Sequence, residues 1–385
     1  MDLSKLKTFA LSISGGGAKG AYAVGVIKYL WENGIREFRS IFGTSTGALV
    51  STKVALACIS GDQKHIDDLE YIFRTIQKPD IASPTRKFFY KLMGQSGLFA
   101  LQMLSKRKES IYDNSPLRKL VDKYITDDDW RLLIDSSSAS SKHPLELGYQ
   151  VTDMQAAKSF AITNETHPDI EALKKALIAS TSIPVLFPLT EFEDKQIADG
   201  GIMNVMPIES LFASKHYNEY DAIISVALDP PYTTTREEEF YGSSKTLLRV
   251  FDIFLANTMH FDYMVGHLIN AFNLIKGELS IGALQKLKDL LPPPVQAHLQ
   301  LEEDNKPLPI YEIFPQTFLG YGLEFKQPIM GNWIDMGYED ARRKFNFANE
   351  DFSNEVENIP DPKQSEEIIE EVIGEIFKDA IAEEK

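Results

Sequence analysis

A Gly-x-Ser-x-Gly pentapeptide is the feature that most restricts how this chain can fold. Residues Gly43–Gly47 follow one apolar stretch, 39–42, and precede another, 48–50. A tight turn between a strand and a helix holds a serine side chain clear of the sheet, and glycines beside it remove Cβ atoms that would clash there. The pattern therefore predicts an α/β protein with Ser45 on such a turn. Taken alone, the motif also fits a plain strand-to-helix turn without a catalytic role.

A glycine-rich segment follows another predicted strand, Phe9–Ile13, near the N-terminus. Gly15, Gly16 and Gly17 are consecutive, and a helical pattern of apolar residues begins shortly after them. Glycines at the start of a helix direct several N–H groups toward one point, which suits an anion. That anion could be a nucleotide phosphate or the oxyanion of a tetrahedral intermediate. The oxyanion is favoured, because the second strand lacks the acidic residue of a dinucleotide site and the segment lacks a P-loop ending.

An aspartate supplies a candidate general base. Asp199 precedes Gly200 and Gly201 and follows a short strand-like piece, 195–197. Asp-Gly-Gly alone is an ordinary turn sequence. At a strand end, however, this carboxylate could accept the proton of Ser45, provided that the fold brings the two side chains within hydrogen-bond reach.

In this order the three motifs resemble those of the patatin-like phospholipase family, and the resemblance extends from about Lys7 to Arg342. Residues Gly15–Gly20 resemble the family's oxyanion loop, and Ala179–Pro188 is similar to its Ala-Ser-x-x-x-Pro-x-x-Phe segment. The resemblance implies a three-layer α/β/α fold with a mainly parallel central sheet and a helical insertion near the active-site mouth. It also implies a serine lipid acyl hydrolase of phospholipase A type that cleaves fatty-acyl esters of phospholipids and needs no cofactor or metal.

The resemblance assigns a role to each motif residue. Ser45 is the expected nucleophile and Asp199 the expected general base of a Ser-Asp dyad that works through an acyl-enzyme. The N–H groups of Gly15, Gly16 and Gly17 are the expected oxyanion hole. The supporting motif positions are Lys19, Gly20, Gly43, Gly47, Gly200 and Gly201.

Histidines leave a Ser-Asp-His triad open on chain order alone. His216, His260, His267 and His298 all follow Asp199. His260 and His267 are one heptad apart within a predicted long helix, which favours positions on a helix face. A dyad is the simpler hypothesis, and it requires Asp199 to be ionised at the working pH.

Composition limits the cellular setting. The net charge of −16 argues against a nucleic-acid partner, and the single cysteine, Cys58, excludes an intrachain disulfide. The sequence has no basic leader with a cleavage site and no apolar run approaching about 18 residues. We therefore expect a cytoplasmic protein whose contact with membranes, if any, is peripheral.

The expected domain organisation is a catalytic domain with one insertion and a tail. The catalytic domain is residues 1–345, including a helical insertion or cap at 236–300, and an acidic linker with an amphipathic helix occupies 346–385. The tail helix either docks on the body, binds a regulatory partner or forms a homo-oligomer. The basic and aromatic segment 83–108 and the apolar segment 244–291 either meet lipid or pack on the core.

Two other functions fit the same sequence. One is an esterase or acyltransferase that acts on other acyl esters. The other is a lipid-binding regulatory protein whose site stays inactive until a partner engages the tail or the helical insertion.

Overall fold

The computed structural model describes most of the chain and all four sequence motifs. The described residues are 6–84, 110–230, 243–276, 281–291, 296, 299, 306–322 and 325–345. The chain divides into two compact units, Met1–Gly266 with Leu308–Lys344, and His267–Pro307 with Phe345–Lys385. Most of segment 83–108 and the whole tail 346–385 lie outside the described residues.

Strands and helices alternate through much of the described chain. The strands are β1 (Phe9–Ile13), β2 (Phe38–Thr44), β3 (Ser83–Pro84), β4 (Tyr112–Asp113), β5 (Glu146–Asp153), β6 (Lys158–Thr163), β7 (Thr190–Phe192), β8 (Lys195–Asp199), β9 (Ala222–Val226) and β10 (Ile310–Ile313). The helices are α1 (Gly20–Glu32), α2 (Thr46–Ser60), α3 (Lys64–Thr75), α4 (Lys78–Ile81), α5 (Ser115–Tyr124), α6 (Asp127–Asp135), α7 (Ile170–Ser180), α8 (Ile208–Phe212), α9 (Ser243–Ile275), α10 (Ile281–Leu290) and α11 (Ile329–Lys344).

One sheet carries most of these strands. Its order is β10-β9-β1-β2-β5-β8-β7, and β6 also pairs with β5. The strands from β10 to β5 are parallel to their neighbours, whereas β6, β7 and β8 pair antiparallel. The predicted α/β fold with a mainly parallel central sheet is confirmed.

The centre of this sheet is fully enclosed. Every residue of β1 and β2 is buried, as expected of parallel strands that are covered by helices on both faces. Helices α2 and α8 both pack on these two strands, and α1 packs against α11. Ser45, which follows the C-terminal end of β2, is therefore supported by a closely packed core.

Strand β8 lies in line with β2 along one edge of β5. Strands β2 and β6 both pair with residues 148–150 of β5, so they lie on opposite edges of that strand. Strands β6 and β8 both pair with residues 151–153 of β5, so they too lie on opposite edges. Strand β8 therefore lies on the same edge of β5 as β2. Thr44, the last residue of β2, pairs with Gln150, and Asp199 pairs with the next residue of β5. This arrangement brings the end of β8 to the start of the Ser45 turn.

The predicted helical insertion follows β9 and contains the long helix α9. Its Asp262 carboxylate accepts a hydrogen bond from the Met206 N–H at 2.8 Å. A Cβ on Gly266 would lie 3.0 Å from the Ile208 side chain, so the helix approaches α8 closely. These contacts fix this part of α9 beside the loop that follows Asp199.

Candidate active site

Ser45 occupies the sharp turn between β2 and α2. Its φ of 55° and ψ of −124° lie in a region that residues other than glycine rarely adopt. Its N–H donates to the Ser180 hydroxyl at 3.0 Å, and that hydroxyl donates to the Gln150 carbonyl at 2.7 Å. Backbone strain of this kind amounts to about 1–3 kcal/mol and persists only where the surroundings hold it. The two hydrogen bonds anchor the turn in this conformation.

The flanking glycines let this turn lie directly against backbone. A Cβ on Gly47 would lie 2.3 Å from the Ile13 carbonyl oxygen, and a Cβ on Gly43 would lie 2.4 Å from the Gly47 carbonyl oxygen. Neither position tolerates a side chain, because the atoms that it would meet belong to the main chain. The glycine spacing of the motif is thus explained by the close approach of α2 to the end of β1.

Asp199 is the last residue of β8 and is almost completely buried. Its Oδ1 accepts the Gly201 N–H at 2.8 Å. Its Oδ2 has no hydrogen-bond partner of ordinary geometry among the described residues. The Ser45 hydroxyl nevertheless lies near enough to stabilise the ionised carboxylate. An oxygen without a conventional partner beside a serine hydroxyl is suited to accepting a proton.

The surroundings of Asp199 bring its ionisation close to neutral pH. Burial raises the pKa of this carboxyl to about 7, against the opposing effects of the Ser45 and Gly201 contacts. No cation forms an ion pair with it within the described part of the chain. A carboxylate that is half ionised near pH 7 can both take up and release a proton under physiological conditions.

The glycine-rich loop lies against the serine turn. A Cβ on Gly15 would lie 3.3 Å from the Ser45 Cβ, and Gly17 has a φ of 59°. The Gly15 N–H donates to the Val205 carbonyl at 3.0 Å. The N–H groups of Gly16 and Gly17 make no hydrogen bond to another described residue. Two of the three expected oxyanion donors are therefore available, and the third anchors the loop.

The remaining motif residues pack around these groups. Lys19 is buried, forms an ion pair with Asp229, which follows β9, and lies 5.6 Å from the centre of the Phe318 ring. A Cβ on Gly20 would meet the Thr46 hydroxyl at 2.6 Å, and one on Gly200 would meet the Gln150 carbonyl at 2.5 Å. Lys19 thus joins the glycine-rich loop to the end of β9, and its charge is already neutralised.

A large apolar cavity opens beside Ser45. It encloses about 1070 Å³, including space that is open to solvent, and its walls come from α2, α3, α5 and the segment 181–187. The lining side chains include Leu49, Leu69, Phe73, Leu117, Ile183 and Phe187. The size and lining suit a long apolar group.

A second, more polar cavity opens on Ser45 as well. It encloses about 700 Å³, again including space that is open to solvent. It is bordered by Gly15, Gly16, Gly17, Lys19, Asp199, Gly201, Asp252, Leu255 and Tyr321. Ser45 consequently lies where an apolar and a polar cavity meet.

Three residues that support this site had no role in the sequence interpretation. Ser180 holds the Ser45 N–H, and the Val205 carbonyl holds the Gly15 N–H. Asp262 in turn binds the N–H of the residue after Val205, and burial raises the pKa of this carboxyl well above its ordinary value. Ser180 lies within the quoted 179–188 motif, and Asp262 is an acidic residue in an apolar helix. Their partners are distant in sequence, so only the fold shows what they contact.

None of the described histidines lines either cavity. His216 is buried elsewhere, with its ring nitrogens 2.8 Å from Glu165 and 2.6 Å from Glu219. His260 is exposed on α9. Within the described residues no histidine is placed to complete a triad, and His298 lies outside them.

The described residues also limit the metal and membrane chemistry of the chain. They contain no group of three or more histidine, cysteine, aspartate or glutamate residues arranged to hold a metal ion. None of their helices combines the length and the apolar character that crossing a membrane requires.

Comparison with known families identifies the family of this chain. A family model described as patatin-like phospholipase matches residues 11–212, more than half of the chain. The chain belongs to the patatin-like phospholipase family. The family supports a lipid acyl hydrolase activity. No curated protein sequence matches the chain.

Solved structures give distant likenesses. VipD from Legionella pneumophila is 15% identical over 89% of this chain and 67% of VipD, with a TM-score of 0.44. The type III effector protein ExoU is 11% identical over 88% of this chain and 53% of its own, with a TM-score of 0.36. ExoU in complex with SpcU, from the type III secretion system of Pseudomonas aeruginosa, is 14% identical over 86% and 70%, with a TM-score of 0.30. These likenesses say nothing about the substrate of this chain.

Proposed function

We propose that this protein cleaves fatty-acyl esters of phospholipids, with Ser45 as nucleophile and Asp199 as general base. One observation carries the proposal. Ser45 stands on a strained turn beside a buried carboxylate whose pKa is raised to about 7, at the junction of an apolar and a polar cavity. A nucleophile, a base of matched pKa and a site for an acyl chain are the parts that acyl transfer requires.

The first half of the reaction forms an acyl-enzyme. The Asp199 carboxylate takes the Ser45 proton as the serine oxygen bonds to the ester carbonyl carbon. The N–H groups of Gly16 and Gly17 stabilise the resulting oxyanion, while the Val205 carbonyl holds Gly15 and thereby the loop. The tetrahedral intermediate then collapses, its bond to the leaving oxygen breaks, and Asp199 returns the proton to that oxygen.

The second half releases the fatty acid. Asp199, again ionised, takes a proton from a water molecule as that water attacks the acyl carbon. Collapse of the second intermediate breaks the bond to Ser45, and the proton on Asp199 returns to the serine oxygen. No histidine is needed, because one carboxylate with a pKa near 7 can take up and return the proton in each half of the reaction.

The two cavities suggest how the substrate lies. The apolar cavity suits the acyl chain, and the more polar cavity, which borders the glycine-rich loop and Asp199, suits the leaving alcohol with its headgroup. An esterase or acyltransferase on other acyl esters would use the same groups, with an alcohol in the place of water. Transacylated product in the presence of added alcohols would identify the transferase.

The organisation around this site is also proposed. Residues 1–345 act as the catalytic domain with 236–300 as its cap, and the acidic tail 346–385 contacts a regulatory partner or a second copy. The protein works in the cytoplasm and meets membranes only peripherally. Activation on removal of the tail would support partner gating.

Lipid mass spectrometry tests the proposed function directly. Mixed phospholipid liposomes are incubated with wild type, with Ser45→Ala and with Ser138→Ala, which changes an exposed serine. Wild type and Ser138→Ala should release fatty acid and lysophospholipid, and Ser45→Ala should be at least about 10³-fold slower. Circular dichroism establishes that all three are folded. Equal product from Ser45→Ala would exclude Ser45 as the nucleophile.

A further inference from the structure

Helix α9 presents a row of large apolar side chains to solvent. Val250, Phe254, Phe261 and Met264 are 57%, 43%, 36% and 39% exposed. At about 100° per residue they fall within an arc of about 80°, and they extend along about 21 Å of helix. The exposed Asn257 lies in the same arc, between Phe254 and Phe261. We call the four apolar side chains the outer stripe. An exposed apolar surface of this regularity indicates a binding face rather than scattered surface residues.

The opposite side of the same helix belongs to the active site. Asp252 and Leu255 lie about 140–200° around the helix from Val250, and both border the polar cavity beside Ser45. Asp262 and Met259 are buried on that side as well. The helix thus has two distinct faces. One face lines the catalytic cavity, and the other carries exposed apolar side chains.

The chemistry of the outer stripe indicates its partner. None of its four side chains is charged, and the nearby Arg249 and Asp252 neutralise each other at 2.5 Å. The whole chain carries a net charge of −16, which disfavours an anionic surface. Four half-exposed side chains offer roughly 300 Å² of apolar surface, well below the roughly 800 Å² per subunit of a stable dimer. An apolar row lying along a helix instead matches an interfacial helix on lipid.

We infer that the outer stripe docks on a zwitterionic phospholipid surface and so brings the cavity lined by Asp252 and Leu255 to its lipid substrate. This inference rests on the proposed lipid hydrolase function and identifies where that enzyme meets the bilayer. The face inserts through apolar side chains without help from basic residues of the stripe. Binding to phosphatidylcholine vesicles should accordingly change little between low and high salt.

The test measures vesicle binding separately from hydrolysis. Full-length Ser45→Ala protein is floated with phosphatidylcholine vesicles, alone and with Phe254→Ser, Phe261→Ser and Met264→Ser added together. The triple variant should bind at least about tenfold more weakly, because three inserted apolar groups are lost. Tyr71→Ser is the matched control, since Tyr71 is a helical aromatic residue on α3, is 59% exposed and lies outside the stripe. Its binding should equal that of the parent.

Activity on a water-soluble short-chain ester separates this inference from the proposed function. With Ser45 intact, the triple variant should keep the wild-type rate on that ester within about twofold while losing activity on vesicles. If the triple variant is not folded, Phe254→Ser alone should still show weaker vesicle binding. Wild type that binds vesicles but cleaves neither substrate would overturn the proposed hydrolase and leave the docking face in place.

Three outcomes would overturn the docking face. The first is a parent protein that does not bind vesicles. The second is equal vesicle binding by the folded triple variant and its parent, or an equal loss with Tyr71→Ser. The third is a dimer that becomes monomeric in the triple variant while vesicle binding is unchanged, which would assign the stripe to a second copy of the chain.

Discussion

The two ends of β2 both bury ionisable side chains, but they differ in how those charges are balanced. Near the start, the Arg39 Nε lies 2.6 Å from Glu219, and a terminal nitrogen of the same guanidinium lies 3.8 Å from Glu165. Just beyond the other end, the Asp199 carboxylate meets the neutral Gly201 N–H and Ser45 hydroxyl. The paired guanidinium near the start lies with its carboxylates beside Glu146, which accepts hydrogen bonds from the Ser40 and Ser214 hydroxyls and whose pKa burial raises. At the other end, the described residues place no cation beside the Asp199 carboxylate.

The difference separates a structural cluster from a reactive site. A buried charge is tolerated while its charged partner is present. Removal of one partner leaves the other buried without compensation and lowers the stability of the fold. A buried carboxylate without a cation instead lowers the stability of the fold when it ionises, and its pKa rises toward the range where it can exchange protons. Asp199 differs from Glu146 because it lies beside Ser45 and borders a cavity, so its raised pKa falls where a substrate can reach it.

Replacement of Asp199 should give the largest effect. Asp199→Asn keeps the shape and the Gly201 contact but removes the base, so kcat/KM on a soluble ester should fall about 10³-fold or more. Steady-state assays at pH 8 measure this fall in kcat/KM directly. A variant within tenfold of wild type would show that Asp199 is not the base.

The same variant should be more stable than wild type at pH 8. The folded-state pKa of about 7 lies above the ordinary value of 3.8, so the contribution of Asp199 to stability is largest below about pH 4 and is lost as pH rises to about 7. At pH 8 the Asn variant should therefore gain up to a few kcal/mol in the free energy of unfolding, and near pH 4 the gain should disappear. Urea denaturation at both pH values tests the sign.

Removal of Arg39 should have the opposite pattern. Arg39→Met removes the guanidinium from Glu219 and Glu165, while Lys215 stays 2.9 Å from Glu165. The free energy of unfolding should fall by about 1–3 kcal/mol, because buried polar partners lose their donor. Soluble-ester turnover by the folded variant should be unchanged, since the cluster lies at the far end of β2. Arg131→Met breaks the exposed pair with Asp128 and should change stability by less than about 1 kcal/mol. Equal effects of the two variants would contradict the comparison.

The pH dependence of wild-type activity should follow Asp199. Because the carboxylate form is the base, kcat/KM should rise about tenfold per pH unit below the pKa and level off above about pH 7. Initial rates on a soluble ester from pH 5 to about 9 give the profile. A midpoint that is unchanged in Arg39→Met would further separate the two ends of the strand.

Loss of the Ser180 hydroxyl should lower activity less than loss of Asp199 does. Ser180→Ala leaves the buried Ser45 N–H without its acceptor and loosens the strained turn, so kcat should fall about tenfold with little change in KM. Ser136→Ala is a suitable control, because this buried serine bonds instead to the Leu133 carbonyl. A similar loss of activity in both variants would indicate general destabilisation rather than positioning of Ser45.

The sequence by itself determined the local features of this protein. The glycines around Ser45 and at 15–17 predicted two tight turns. Such turns depend only on a few neighbouring residues and on the absence of a Cβ. The alternation of apolar segments with these turns predicted the α/β class. The order of the motifs along the chain was enough to relate it to its family.

Only the tertiary structure decided which groups meet. The in-line position of β2 and β8 brings Ser45 to Asp199, and burial raises the pKa of that carboxyl to about 7. The hydrogen bond from the Gly15 N–H to the Val205 carbonyl likewise joins residues that are far apart in the chain. The same holds for the contact of α9 with the cavity beside Ser45. Hydrogen-bond partners, desolvation and cavity walls are sums over such distant neighbours, and local patterns do not contain them.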